Sequence, residues 1–328
     1  MYDSKVPTSN ISPLTVYVFN KPALDNSGKT CLSKEHGISR LLSNENEILI
    51  FDNCLTGKKE NLDISGNFKF INDDFGSESS LEEIEKFDPD MCFHLAAQSS
   101  VVISVEDPAL DFEHNILQPI KLIQVLLKSN CKKLVFTSSG GTIFGEPTVI
   151  PTAEEDYANE PESPYGVAKK RLNELIKIMT KNSNLKYSIL NLSNVYGPRQ
   201  DPHGEAGVVS IFANKYLNNE EPIIYGDGEQ TRDYIYVKDV VSALTKASKI
   251  DQNHFLNIGT GVETSVNDLA NSMKIQFNSD INPVYKPARK GELNRSVLNN
   301  AKAKKDLEWE PEYSLDDGMK AVFNWLRT

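Results

Sequence analysis

No stretch of the 328-residue chain approaches the roughly 18 consecutive apolar residues that a membrane-spanning helix needs, so no span is expected. The opening Met1-Tyr2-Asp3-Ser4-Lys5 has no apolar run behind it, and no secretory signal is expected. Cysteine is scarce. Cys31, Cys54, Cys92 and Cys131 are scattered, with no C-x-x-C pair and no metal-ligand spacing. They read as reduced thiols, two of them on buried strands, and the expected location is cytoplasmic. Positive charge is in deficit: 35 Lys and Arg against 46 Asp and Glu give a net charge of −11. That balance argues against non-specific nucleic-acid binding. Internal repeats and low-complexity linkers are also missing. What remains is globular in character, 39% hydrophobic and 25% charged, and long enough for one large domain or two coupled ones.

Short apolar runs alternate with helical patterns. Strands are expected at residues 14–19, 47–51, 91–96, 133–137 and 187–192, and their near-continuous apolar character suits a parallel sheet covered on both faces. Helices are expected at 33–42, 81–87, 108–128 and 164–181. Pro108 and Pro164 fit first-turn positions, whereas Pro119 falls inside the third pattern and predicts a kink or break there. This alternation predicts an α/β, doubly wound parallel sheet with right-handed crossovers. After about Asn194 the texture changes to shorter elements between loops rich in Gly, Pro and charge. Ser265 before Asp268 and Ser314 before Asp317 are helix-start signals. The expected division is therefore 1–193 and a smaller α/β lobe at 194–328, partly interleaved, with a ligand crevice at the carboxyl ends of the strands.

Tyr165 and Lys169 stand four apart on a predicted helix, so both side chains share a face. An ammonium there favours a tyrosinate that can act as a base. The same spacing recurs at Tyr17/Lys21 and Tyr234/Lys238, so spacing alone is uninformative. Context distinguishes Tyr165: it follows the helix start Ser163-Pro164. It also lies downstream of Phe136-Thr137-Ser138-Ser139-Gly140-Gly141, where a strand ends in hydroxyls and glycines. His94, inside an apolar strand, reads as a core histidine, and neither it nor Glu205 has a ligand cluster around it; no metal site is expected.

From Glu47 onward the chain resembles the extended short-chain dehydrogenase/reductase family, on its epimerase and dehydratase side. The matching stretches are Phe51-Asp52-Asn53, Phe93-His94-Leu95-Ala96-Ala97-Gln98, Ser138-Ser139-Gly140-Gly141 and Ser163-Pro164-Tyr165-Gly166. They continue through Asn194-Val195-Tyr196-Gly197-Pro198-Arg199, Gly226-Asp227-Gly228, Arg232-Asp233-Tyr234 and Asn257-Ile258-Gly259-Thr260-Gly261 to Trp309 before Pro311.

The resemblance implies a Rossmann-like, dinucleotide-binding domain over 1–193 and a nucleotide-sugar lobe over 194–328. It implies Tyr165 as catalytic base and acid, with Lys169 as the partner that also holds the nicotinamide ribose. Ser139 would be the catalytic hydroxyl, with Ser138 and Thr142 as rivals. Asp52, Asn53, Asp74, Ala96, Ala97, Gln98 and Asn115 would line the cofactor. A carboxylate at Asp52 favours NAD over NADP, whose 2′-phosphate it would repel. Asn194, Arg232, Arg289 and Glu292 would meet a nucleotide-diphosphate sugar, the arginines gripping phosphate oxygens. At Arg199 and Arg295 a surface ion pair is the expected role. The resemblance further implies a homodimer through the helices near 108–128 and 164–181.

One family feature is missing. The first strand should be followed by Gly-x-x-Gly-x-x-Gly, which lets the pyrophosphate approach a helix N-terminus. Residues 20–30 read Asn-Lys-Pro-Ala-Leu-Asp-Asn-Ser-Gly-Lys-Thr, with Gly28 alone. Asn26-Ser27-Gly28-Lys29-Thr30 is no Walker loop, because position 23 is alanine. A rebuilt cofactor loop, a lost cofactor and an altered N-terminal reading all remain open. The expected activity is 4-epimerisation of a nucleotide sugar by transient C4 oxidation with bound NAD. A 4,6-dehydratase is the second enzyme reading, since the hydroxyl loop holds no carboxylate. A catalytically silent nucleotide-sugar binder is the third.

Overall fold

The computed structural model describes residues 47–54, 67–157, 159–200, 207–289 and 293–327. The strand and helix expected at 14–19 and 33–42, the loop at 20–30, Glu205 and Glu292 lie outside the described residues. The first half runs β1 (Glu47–Phe51), β2 (Asn67–Ile71), α1 (Glu78–Phe87), β3 (Met91–His94), α2 (Val101–Glu106), α3 (Pro108–Phe112), a π-helical turn (Glu113–Leu117) and α4 (Gln118–Leu126). It continues with β4 (Lys133–Ser139), α5 (Pro164–Thr180) and β5 (Lys186–Leu192).

The second half runs β6 (Asn194–Tyr196), α6 (Val208–Leu217), β7 (Ile223–Tyr225), β8 (Thr231–Arg232), β9 (Tyr234–Tyr236), α7 (Val237–Ser248) and β10 (His254–Ile258). Then come β11 (Thr264–Ser265), α8 (Val266–Gln276), β12 (Val284–Lys286), β13 (Arg295–Ser296), α9 (Ala301–Leu307) and α10 (Leu315–Leu326).

β1 pairs with β2, and a four-stranded sheet runs β10-β5-β4-β3, every pairing parallel. Alternate side chains feed two cores. Ile48, Ile50, Phe93, Val135, Leu190 and Leu256 face one way, against α7 and Trp309. Leu49, Phe51, Cys92, Leu134, Phe136 and Ile189 face the other, against Leu122, Leu126, Leu172 and Ile176. Two buried faces are what a helix-covered parallel sheet requires. A third core, with Tyr196, Phe212, Tyr236, Leu269 and Met319, belongs to the second half. The chain is thus an α/β, doubly wound, Rossmann-like molecule with a second cluster of short elements. Ser265 and Ser314 cap α8 and α10, accepting from the Asp268 and Asp317 amides.

Several boundaries differ from the sequence expectation; the helix expected at 81–87, for one, begins at Glu78. The helix expected over 108–128 is three pieces. Pro119 has no N–H to give the Asn115 carbonyl, and the backbone there adopts π-helical spacing, with the Gln118 amide bonded to the Glu113 carbonyl. The strand expected at 91–96 ends at His94, and that at 133–137 extends to Ser139. β2 was not anticipated: Asn67-Phe68-Lys69-Phe70-Ile71 alternates polar and apolar residues and lacks a continuous apolar run.

Candidate active site

The site lies where β4 ends and α5 begins. Ser163 caps α5, its hydroxyl accepting from the Gly166 amide at 3.1 Å, and Pro164 occupies the first turn. Gly166 sets how closely this helix approaches the hydroxyl loop. A Cβ there would stand 2.9 Å from the Thr142 carbonyl oxygen and 2.8 Å from Pro161 Cβ, so only glycine allows this contact. The start of α5, with Tyr165 one residue earlier, is thereby brought to the loop that holds Thr142.

Tyr165 and Lys169 are both buried. Lys169 Nζ donates to the Thr137 carbonyl at 3.2 Å and lies 4.8 Å from the Phe136 ring centroid. Its charge is felt by His94, which packs between Phe75 and Phe136 with ring centroids 5.0 and 5.3 Å away. Burial first, and then Lys169, hold the His94 imidazole well below its ordinary value. His94 is a neutral core histidine. Among the described residues no group of three or more His, Cys, Asp and Glu could hold a metal ion.

The hydroxyl loop carries three candidates. Ser138 Oγ is buried with no hydrogen-bond partner among the described residues, Ser139 is half-buried, and Thr142 Oγ1 leans on the Ser139 carbonyl at 3.4 Å. A Cβ on Gly141 would stand 3.3 Å from Asn194 Oδ1 and 3.7 Å from Ser296 Oγ. Asn194, at the start of β6, is therefore brought to the same loop. Ser296 was missed: it carries no local signal, and only the pairing of β13 with β8 delivers it.

The cofactor-side candidates fall into two groups. Asp52 directly follows β1, is 9% exposed, and accepts from the Cys54 amide at 2.8 Å. Asn53 beside it is half-buried. Asp74, after β2, accepts from the Gly76 amide at 3.0 Å and lies 3.9 Å from His114 Nδ1. The second group follows β3. Ala96 is buried and Ala97 half-buried. The Gln98 side chain is committed internally: Nε2 donates to Asp111 and to the Ser100 carbonyl, both at 2.8 Å, and Oε1 accepts from the Ser100 amide. Asn115, on the π-helical turn, donates to the Gln98 carbonyl (2.8 Å) and to Asp111 (2.9 Å), leaving a buried Oδ1 without a partner among the described residues. Asp111, which joins the two amides, had no sequence signal.

On the opposite side, Arg232 in β8 is half-buried and donates to the Thr231 carbonyl at 2.8 Å. Arg289 is exposed and stacks 4.0 Å from the Tyr225 ring centroid. Arg295 forms a two-pronged pair with Glu263, at 2.6 and 2.7 Å, in keeping with its expected surface role.

A profile of the family described as GDP-mannose 4,6 dehydratase matches residues 32–322, beginning past the segment that lacks the glycines. A Methanocaldococcus jannaschii protein with a provisional UDP-glucose 4-epimerase name is 42% identical over 292 residues, covering 89% of this chain and 94% of its own length. The UDP-glucose 4-epimerase of Thermotoga maritima, solved with UDP-glucose, superposes with a TM-score of 0.88 at 40% identity, over 96% of this chain and 99% of that one. That of Thermus thermophilus, solved with NAD, gives 0.86 at 33% identity over the same shares. A match over most of the chain makes the protein a member of the NAD-dependent epimerase/dehydratase family.

Proposed function

We propose that this chain is a nucleotide-sugar 4-epimerase acting on UDP-glucose and UDP-galactose or on their N-acetylated analogues. The observation that carries this reading is the meeting of the start of α5, which bears Tyr165 and Lys169, with the hydroxyl end of β4 and its loop, to which Asn194 also comes. The relatives reported above support it. Residues 1–193 would hold the dinucleotide and 194–328 most of the sugar nucleotide.

The residues present fit NAD. Asp52 at a strand end is the acid a ribose diol requires, and the buried Asn115 Oδ1 and Ser138 Oγ leave polar capacity in the same corner. Asp52, Asn53, Asp74, Ala96, Ala97, Asn115 and Lys169 would hold it, Gln98 contributing through its main chain. When bound, NAD supplies an acceptor for the C4 hydride and the donor that returns it. The Tyr165 phenolate, stabilised by the Lys169 charge one helical turn on, takes the proton of the sugar 4-hydroxyl and becomes the neutral phenol. Ser139 Oγ donates to the same sugar oxygen as it becomes a carbonyl. Arg232, Arg289, Glu292 and Asn194 hold the nucleotide end while the sugar presents its other face. Ser138-Ser139-Gly140-Gly141-Thr142 offers no carboxylate for loss of water, which speaks against dehydration.

Among the described residues no helix is long and apolar enough to cross a membrane. A cytoplasmic location is part of the proposal, supported by the free, buried thiols of Cys92 and Cys131. So is a homodimer, supported by Val102, Val105, Phe112 and Leu117, exposed on neighbouring helical segments. The test is to feed UDP-galactose to purified protein and follow UDP-glucose, and to identify any nucleotide released on denaturation. Conversion with NAD released is expected. A protein that neither carries nor binds a dinucleotide and converts nothing overturns the reading.

A further inference from the structure

Asp233 stands between β8 and β9 with no exposed surface, and its carboxylate receives five hydrogen bonds. Oδ1 accepts from the Thr260 amide (2.9 Å), the Thr260 hydroxyl (2.7 Å) and the Ser193 hydroxyl (3.3 Å). Oδ2 accepts from the Gly261 amide (3.1 Å) and the Leu298 amide (3.3 Å). The main chain adds two more ties: the Asp233 amide donates to the Ser296 carbonyl (3.0 Å), and its carbonyl accepts from the Asn194 amide (2.9 Å). Glycine at 259 makes this approach possible, since a Cβ there would stand 2.3 Å from Asp233 Oδ2.

The tied segments surround the proposed substrate. Asn194 follows Ser193, Arg232 precedes Asp233, and Ser296 and Asn194 face Gly141 across the hydroxyl loop. Leu298 fills the space a Cβ on Gly140 would take, at 2.4 Å. The 297–299 stretch is also laced to the first half, with the Thr152 amide on the Val297 carbonyl and the Asn299 amide on the Thr152 carbonyl, both 2.8 Å. Three of the five groups aimed at the carboxylate are main-chain amides, which can only donate, so both of its oxygens must accept. Burial raises the Asp233 pKa above its ordinary value, while Thr260, Gly261 and Leu298 oppose that shift.

We propose that Asp233 is a positioning residue: one buried carboxylate that locks residues 193–194, 259–261 and 296–298 in a single register, and so holds the sugar-nucleotide side of the site against the hydroxyl loop. This rests on the nucleotide-sugar reading. Misplacement of reacting groups by about 1 Å costs on the order of 100-fold in rate. Asp233→Asn keeps the shape but turns an NH2 toward N–H donors.

The test measures kcat and KM for UDP-galactose, NAD content and UDP affinity for wild type and Asp233→Asn. The expected result is a kcat lower by about 100-fold, with NAD content unchanged and UDP affinity reduced less than kcat. A folded Asp233→Asn protein with wild-type kcat overturns the positioning role. Should that variant fail to fold, Thr260→Val and Thr260→Ser decide: Val is expected to lower kcat and Ser to restore it, and equal values overturn the proposal. A wild type that converts no UDP-galactose overturns the function reading as well, so the two failures are distinguishable.

Discussion

A buried lysine serves each end of strand β4, one from the strand itself and one from α5, and the surroundings of the two differ. At its amino end Lys133 donates to the carbonyls of Ile250 (2.7 Å) and Gln252 (2.9 Å), tying down the turn before β10. Burial pulls its pKa down to about 8, with Asp251 opposing. Toward the carboxyl end Lys169, on α5, reaches the Thr137 carbonyl and shares a helix face with Tyr165. A buried lysine is therefore no signature of catalysis in itself. Lys133 closes a turn with main-chain acceptors. Lys169 stands where a phenol, a hydroxyl loop and a strand end meet, at the edge of a parallel sheet where ligands bind.

The sharpest test of this contrast removes the phenol. Tyr165→Phe should lower kcat by about 10³-fold, the scale of positioned acid–base catalysis, while UDP affinity by calorimetry stays unchanged. Retained turnover would dissolve the distinction between the two ends of β4. Ser139→Ala should lower kcat by about 100-fold, as for loss of one donor to a developing oxyanion, and by more than Ser138→Ala does. The reverse order would move the catalytic role to the buried hydroxyl. Gly166→Ala should destabilise by about 1–3 kcal/mol in urea unfolding, the range for overpacking, and should lower kcat as α5 shifts off the loop.

At the other end, Lys133→Met should cost about 1–2 kcal/mol through two deprived carbonyls, with turnover per folded molecule unaffected. The smallest expected effect is a pH dependence. His94 is held below its unfolded value near 6.5, so its contribution to stability is present above that pH and is lost as pH falls toward its folded value. Thermal midpoints measured downward from pH 7.5 should decline below about 6.5, and His94→Phe should flatten that part of the decline.

Much of the sheet was legible because its signals are local. The runs at 47–51, 91–94, 133–137 and 187–192 are apolar on both faces, and proline and serine mark the helix starts at 108, 164, 265 and 314. Tyr165 was singled out by the Ser-Pro start and the preceding hydroxyl loop, whereas Gly166 entered only as part of a matching stretch. The meeting of Asn194 with Gly141 was suggested only by resemblance, since no sequence period links residues 53 apart. Asp111, Ser296 and the five bonds to Asp233 left no local trace. Hydrogen bonds between buried groups distant in sequence have no periodicity to read. The Gln98 amide shows the converse: a motif residue whose side chain serves an internal brace.

The amino-acid order by itself determined which segments become strands and helices, where the caps fall, and that a phenol and an ammonium share one helix face, because each depends on neighbours within a few residues. Only the tertiary structure decided that Gly166 lets the start of α5 touch the hydroxyl loop, that Asn194 and Ser296 arrive at the same loop, and that Asp233 binds three remote segments together. Those outcomes depend on close packing and on satisfying buried polar groups, which are properties of the folded whole.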